Sequence, residues 1–194
     1  AFLAAGESGA IPVYCLFDNE EVGSQTKQGA ASTFLSDVLE RVSAAAGLDP
    51  AGHRRHIANS FLVSCDNAHA VHPNHPEFAD RNHSVYMNRG IVIKYNANQR
   101  YTSDAVSAAL FRLVCEAADV PVQYYANRAD MPGGSTLGNI ANTLNTVDIG
   151  LAQLAMHSSF ETAGALDTDF LCRALAEFFG RSLVFCGGGK YTLG

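Results

Sequence analysis

The amino-acid sequence predicts an α/β fold in which a mostly parallel central sheet is flanked by helices. Short apolar runs alternate along the chain with longer segments of helical periodicity, which is typical of such folds. The chain has 194 residues, of which 47% are hydrophobic and 16% are charged, so it suits one globular domain with a buried core. Polar loops at residues 18–26 and 66–83 follow directly on predicted strands. Because ligands bind at the carboxyl ends of strands in open α/β sheets, we expect the functional side chains along one edge of the sheet.

Short apolar runs rich in β-branched and aromatic residues predict the strands. Each run is bounded by turn-forming residues, as expected for a strand that is buried in a sheet. In chain order the runs are residues 11–17, 61–64, 91–95, 122–125 and 146–150.

Longer segments with apolar residues three and four positions apart predict the helices. The first covers residues 25–46 and stops at Gly47, a residue type common just beyond a helix. The second covers residues 103–118, where Asp104 is a typical N-terminal cap. The third covers residues 167–180 and closes the fold.

Composition and charge exclude several classes of partner. The net charge is −6, and no run of basic residues is longer than the pair Arg54 and Arg55, so a nucleic-acid-binding surface is not expected. No apolar stretch is long enough to span a membrane, and residues 1–10 lack the pattern of a signal peptide. The cysteines, which are odd in number and scattered, indicate reduced core residues rather than disulfides. We therefore expect a cytoplasmic protein without a membrane partner.

Glu20 and Glu21 stand side by side directly after the first predicted strand. Neighbouring side chains of a regular strand point to opposite faces, so the two carboxylates reach one site only if the backbone turns, and residues 22–24 (VGS) permit a turn. One carboxylate could then bind a metal while the other takes a proton from water. The alternative is an exposed acidic turn without function.

Histidines and one aspartate suggest a second source of metal ligands. Asp66 follows a predicted strand, and four histidines occur within the loop that continues from it. Carboxylate and imidazole groups together are typical zinc ligands. His157 follows the apolar run LAQLAM and could be a ligand or a core histidine that hydrogen-bonds to the backbone. The loop histidines, which could equally belong to an ordinary polar loop, are His69, His72, His75 and His83.

Motifs along nearly the whole chain resemble the aspartyl aminopeptidase family of dinuclear zinc exopeptidases. In order they are DNEEVGSQT, SCDNAHAVHPNHPE, KYNANQRYTSD, DMPGGSTLG and AMHSSFE, and the resemblance covers residues 11–181. It implies a metal-dependent aminopeptidase that removes N-terminal aspartate or glutamate from peptides.

The resemblance also implies roles for the acidic residues and one histidine. Glu20 would be the general base that activates a water molecule. Glu21 and His157 would bind one zinc ion, and Asp66 would bind a second. Two Zn²⁺ ions are thus implied for a complete site, although carboxylate and histidine ligands also accept Mn²⁺ or Co²⁺.

A further set of residues is implied to bind the peptide substrate. Lys94 would pair with the acidic side chain of the first substrate residue, unless it is an ordinary surface lysine. His69 and His72 would contact substrate, and Gly133 with Gly134 would let the backbone approach the peptide closely.

The family also uses a histidine ligand and a bridging aspartate upstream of the glutamate pair, and residues 1–17 contain neither residue type. We therefore expect residues 1–194 to be the C-terminal portion of a catalytic domain, with an incomplete sheet and little activity alone. The upstream catalytic portion and the dimerisation domain would be absent, and the full-length protein would be a homo-oligomer. The alternative is a non-catalytic peptide-binding or interaction module that keeps the fold without the metals.

Overall fold

The computed structural model describes residues 1–6, 8–131, 134 and 144–194. Four α-helices lie in the described residues: α1 (Phe34–Ala45), α2 (Pro50–Ala58), α3 (Ala105–Ala117) and α4 (Ala165–Phe179). The strands of the described part are β1 (Phe61–Cys65), β2 (Ala68–His69), β3 (Ile91–Tyr95), β4 (Val122–Ala126), β5 (Asn145–Gly150), β6 (Ala152–Leu154), β7 (Thr162–Ala163), β8 (Leu183–Phe185) and β9 (Tyr191–Leu193).

The main sheet has the strand order β1-β5-β3-β4. β1 pairs with β5, and β3 pairs with β4, both in parallel, whereas β3 and β5 are antiparallel. The predicted α/β fold with a mostly parallel sheet and flanking helices is therefore confirmed. A second small sheet, β2-β6-β7, continues from the ends of β1 and β5, and β8 and β9 form a hairpin.

The core lies on both faces of β3. Ile91, Val92 and Ile93 are all 0% exposed, as expected for a strand that is covered on both sides. Ile91 and Ile93 pack with Phe111 of α3, while Val92 belongs to a cluster on the opposite face that includes Tyr101. The continuous apolar sequence of this strand is thus explained by burial on two faces.

α3 begins where the sequence predicts. Asp104 accepts a hydrogen bond from the backbone N–H of Ser107 at 2.7 Å, and the Ser107 hydroxyl accepts one from the N–H of Asp104 at 3.0 Å. This reciprocal capping box satisfies two backbone donors that a helix start would leave unpaired.

Residues 11–17 do not form the predicted strand. The segment is irregular, with Ile11 51% and Leu16 79% exposed. A strand is stabilised by hydrogen bonds to a neighbouring strand, and no strand of the described residues pairs with this segment. The prediction of a buried strand is wrong here, because an apolar run does not by itself specify a pairing partner.

The first helix starts at Phe34, later than the predicted residue 25. Turns occupy the intervening residues, where the N–H of Ala31 donates to the carbonyl oxygen of Ser24 at 3.1 Å. A Cβ atom added to Gly29 would lie 2.1 Å from that same oxygen, so only glycine permits this close approach.

Helix α2 is absent from the prediction, although its start signals are present. Asp49 accepts a hydrogen bond from the N–H of Gly52 at 2.6 Å, and Pro50 occupies the first helical position. The helix has few apolar residues, so hydrophobic periodicity did not reveal it.

The cysteines are free thiols, as expected, but most of them are not in the core. Cys115 is buried and Cys15 is partly exposed, whereas Cys65, Cys172 and Cys186 are exposed. Among the helices of the described residues, none combines the length and apolar character needed to cross a membrane.

A buried carboxylate joins α4 to the loop before β3. Asp167 is 0% exposed and accepts hydrogen bonds from the backbone N–H groups of Asn88 at 2.6 Å and Gly90 at 3.0 Å. Gly90 has a φ of 104°, a conformation that favours glycine. The carboxylate thus fixes a strained turn directly before the central strand.

We expect Asp167→Ala to lower the free energy of unfolding by about 3 kcal/mol, because two N–H donors would lose their acceptor at a buried site. The matched control is Asp169→Ala on the same helix, since the side chain of Asp169 is 68% exposed and should contribute little. Urea denaturation measures both variants. Equal losses of stability would show that Asp167 does not anchor the turn.

Candidate functional site

A cleft of about 340 Å³ lies at the carboxyl ends of β1 and β4. The separate parts of the chain that the fold brings together there include the glutamate pair, the segment after β1, and the segment from β6 to Glu161. Its lining residues are Glu20, Glu21, Asp66, Asn67, Ala68, His69, Tyr101, Asn127, Gly134, Gln153, Met156, His157 and Glu161. The position at strand ends agrees with the sequence prediction.

Both glutamates reach the cleft because the backbone turns at this point. Residues Glu20–Val22 form one turn of 3₁₀ helix between Asn19 and Gly23, which both have left-handed backbone conformations with φ of 58° and 91°. The turn that the sequence suggested is confirmed. Two adjacent carboxylates therefore face one site, as a regular strand would not allow.

His157 lies against Glu21. Its Nε2 atom is 3.3 Å from Oε2 of Glu21, and the two side chains are 65% and 73% exposed. The backbone N–H of His157 donates to the Glu161 carboxylate, and its φ of 68° is unusual for a residue other than glycine. The alternative of a buried core histidine is wrong.

Asp66 directly follows β1 and is partly exposed at the cleft. Its Oδ1 atom accepts a hydrogen bond from the N–H of Asn67 at 2.7 Å, and its Oδ2 atom is 3.9 Å from Nζ of Lys94. The carboxylate is therefore held by its own loop while its surface toward the cleft stays accessible.

Lys94 is 1% exposed, so the alternative of a surface lysine is wrong. Its ammonium group donates to the carbonyl oxygens of Asp66 at 3.3 Å and Asn67 at 3.4 Å, and lies 5.0 Å from the centre of the Tyr101 ring. The charge sits beneath the lining of the cleft rather than in it.

The charges around the cleft change the proton affinity of two lining residues. Partial desolvation raises the pKa of Glu20, and the carboxylates of Asp66 and Glu21 raise it further, against the opposing effect of His157 and Lys94. Partial desolvation lowers the pKa of His69, and the charges of His157 and Lys94 act in the same direction. Glu20 is thus a stronger base than an ordinary carboxylate, and His69 favours its neutral form.

The remaining predicted residues are not all at the cleft. Gly134 lines it, but Gly133 lies outside the described residues. His72 is on the adjoining loop, where its ring lies 5.3 Å from that of His75, and it does not line the cleft. His75 contacts Glu77 at 3.1 Å in the same exposed loop.

Zinc fits the donors of the cleft in type. Glu21 and His157 offer a carboxylate and an imidazole that already lie in contact, which is a common zinc ligand pair. In number the donors are fewer than a closed site needs, because within residues 8–131 and 144–194 no group of three His, Cys, Asp or Glu side chains is arranged around one ion. The donors of the described residues therefore fit zinc in type but not in number.

Several lining residues were not predicted from the sequence. Tyr101 lies in the KYNANQRYTSD motif, where the lysine drew attention first, and Asn127 directly follows β4, where nothing in the local sequence distinguishes it. Gln153 had a visible signal, since it is the polar residue within the apolar run LAQLAM. Glu161 lies in the AMHSSFE motif, where the histidine drew attention first.

Curated proteins similar to this chain are aminopeptidases by description. A probable M18 family aminopeptidase 2 from Clostridium acetobutylicum is 48% identical over 182 residues, which are 92% of this chain and 42% of the relative. A protein with the same description from Mycobacterium leprae is 46% identical over 186 residues, which are 94% of this chain and 44% of the relative. The chain thus spans less than half the length of either relative.

Solved structures share the fold of the described residues. The crystal structure of yeast aminopeptidase 1 matches with a TM-score of 0.75 and 34% identity, over 84% of this chain and 37% of that chain. The S. cerevisiae mApe1 dodecamer gives the same TM-score and identity, over 84% of this chain and 36% of that chain. A family model described as aminopeptidase I zinc metalloprotease (M18) matches residues 4–179, a range that includes every lining residue of the cleft. The chain belongs to this M18 family.

Proposed function

We propose that this chain supplies part of the active site of a zinc-dependent aminopeptidase that removes N-terminal aspartate or glutamate from peptides. One observation carries the proposal: the glutamate pair Glu20 and Glu21 lines one cleft with Asp66 and His157, which are distant from the pair and from each other in sequence. Family membership supports the same reaction class.

In this proposal Glu21 and His157 hold one zinc ion and Asp66 holds the second, while Mn²⁺ or Co²⁺ are possible substitutes. When bound, the metal polarises the scissile carbonyl and lowers the pKa of water. The contact between Glu21 and His157 supports the first assignment, and the accessible carboxylate of Asp66 supports the second.

Glu20 is proposed to be the general base. It lies next to a proposed ligand, and its raised pKa makes it a stronger base than an ordinary carboxylate. Glu20 would take the proton from the attacking water and return it to the leaving amine.

Lys94 is proposed to set the preference for an acidic first residue. Its positive charge lies beneath the lining of the cleft, 3.9 Å from Oδ2 of Asp66, and a desolvated ammonium attracts a carboxylate more strongly than an exposed ammonium does. His69, which favours its neutral form, could donate a hydrogen bond to the peptide. His72, Gly133 and Gly134 remain proposed substrate contacts.

Assembly and location are further parts of the proposal. The structural relative described as a dodecamer supports a homo-oligomeric full-length protein. Five free thiols support a reducing, cytoplasmic location. The chain alone is proposed to be inactive, because the described donors do not complete a ligand set for two ions.

The incomplete donor set also favours a second candidate for this chain, a peptide-binding or interaction module without catalysis. The two candidates predict different hydrolytic activity for this chain when it is joined to the remaining segments of a family member.

The first experiment therefore compares the chain alone with a chimera in which it replaces the matching segment of the Clostridium acetobutylicum relative, to which it is 48% identical. We expect the chain alone to hold less than one zinc per molecule and not to hydrolyse an aspartyl amide. The chimera should hold about two zinc ions and hydrolyse the amide. Elemental analysis and a hydrolysis assay measure both, with the parent relative as the positive control. A chimera without turnover beside an active parent would favour the binding module.

In the chimera, Glu20→Gln should lower kcat by at least about a hundredfold while zinc content stays unchanged, because the base is lost and the ligands remain. Glu21→Gln is the matched comparison and should lower zinc content as well. Loss of zinc from the Glu20 variant would identify Glu20 as a ligand instead.

Lys94→Met in the chimera should lower kcat/KM for an aspartyl amide about tenfold more than for an alanyl amide, because only the acidic substrate loses an attractive charge. The ratio of the two substrates corrects for any loss of folded protein at this buried position. Lys27→Met, at an exposed lysine, is the control and should leave the ratio unchanged. Equal losses on both substrates would contradict the role of Lys94 in specificity.

A further inference from the structure

Gln153 in β6 has a buried polar atom without a partner. The residue is 5% exposed, and its side-chain oxygen Oε1 makes no hydrogen bond within the described residues. Gln153 nevertheless lines the cleft. Buried polar atoms in folded proteins are almost always hydrogen-bonded, so this oxygen is an exception that requires an explanation.

The sheet around Gln153 prevents the backbone from moving to satisfy the side chain. Gln153 pairs with His69 of β2 on one side and with Ala163 of β7 on the other, and its carbonyl oxygen accepts from the N–H of Ala70 at 2.8 Å. The neighbours Ala152 and Leu154 offer no polar side chain. The unpaired oxygen therefore belongs to a side chain that lines the cleft, on a strand that is paired on both edges.

Gln123 in β4 shows what a structural glutamine does in this fold. Its amide nitrogen donates to the carbonyl oxygens of Tyr86 at 3.0 Å and Gly90 at 3.1 Å, and its oxygen accepts from the N–H of Tyr86 at 2.9 Å. Gln123 is thus hydrogen-bonded through both ends of its amide, while the oxygen of Gln153 is left for another donor.

The charges of the cleft indicate which donor suits this oxygen. Four carboxylates line the same cleft, those of Glu20, Glu21, Asp66 and Glu161. The resulting negative potential attracts a cation. The buried ammonium of Lys94 donates to the carbonyl oxygens of Asp66 and Asn67. A small cationic donor from outside is therefore favoured beside Gln153.

We propose that Oε1 of Gln153 accepts a hydrogen bond from the free α-ammonium group of a peptide bound in the cleft. Gln153 is then a specificity residue that distinguishes an unblocked peptide from one whose amino end is acylated. The inference rests on the proposed function, since it names the ligand group that the same cleft would recognise.

The test uses the 194-residue chain itself, without added metal and with a chelator present. The probes are the dipeptide Asp-Ala and its N-acetyl derivative, titrated by NMR chemical shifts. The variants are Gln153→Met, which keeps the size but removes the acceptor, Gln153→Glu, which keeps an acceptor, and Gln123→Met as the matched control. Thermal unfolding of each free protein is the second measurement.

We expect Gln153→Met to bind Asp-Ala about tenfold more weakly than the wild type, because a hydrogen bond to a charged group is lost. Its binding of the acetylated dipeptide should not change, and Gln153→Glu should bind Asp-Ala at least as tightly as the wild type. Gln153→Met should keep or raise the Tm, since an unpaired buried acceptor is removed. Gln123→Met should lower the Tm and leave peptide binding unchanged.

Three results would overturn the inference. In the first, Gln153→Met binds Asp-Ala as tightly as the wild type does, and in the second, Gln153→Met weakens the binding of both dipeptides equally. In the third, Gln153→Met lowers the Tm as much as Gln123→Met does. Failure of the proposed function has a different signature. In that case the wild-type chain would bind neither dipeptide and the chimera would not hydrolyse an aspartyl amide, and the inference would fall with it.

Discussion

A buried ammonium group determines how the cleft is built. Because an unpaired charge is very unfavourable away from water, Lys94 at the end of β3 must be surrounded by acceptors. Two backbone carbonyls supply them, those of Asp66 and Asn67, and this requirement fixes the path of the chain beyond β1. The carboxylate of Asp66 is thereby held at the cleft. The same charge opposes the rise in the pKa of Glu20, so Lys94 influences both the position of Asp66 and the pKa of Glu20.

Three of the unusual backbone conformations of the described residues lie around this cleft, among regular elements. Asn19, Ala155 and His157 all have positive φ values, which are unfavourable for residues other than glycine. Each lies beside a side chain of the proposed site. The surrounding sheet and the cap of α3 are, in contrast, regular and well satisfied in hydrogen bonds. The candidate site therefore includes backbone conformations that cost free energy and that the regular elements around it must offset.

Sequence reasoning succeeded where one local pattern determines one structure. The continuous apolar run of β3 and the capping residue Asp104 define their elements without reference to the rest of the chain. Residues 11–17 failed because pairing is a property of two segments, and an apolar run contains no information about its partner. In the cleft, Glu20, Glu21, Asp66 and the histidines were found by residue type, whereas Glu161 was missed. The polar residue Gln153 was visible within an apolar run, but its role depends on burial and on an absent partner, which only the folded arrangement reveals.

The pairing of β1 with β5 has a consequence for how the protein folds. Ser64 on β1 donates a hydrogen bond to Asp148 on β5, across a sequence separation of 84 residues. Parallel pairing over such a distance requires the chain to close a long loop before stabilising contacts form. The pairing of β1 with β5 is therefore intrinsically slow. Asp66 and Gln153 lie just beyond the two paired strands and come together only when this pairing is complete. The cleft should therefore be among the last features to form, so a ligand that binds there cannot assist the early steps of folding.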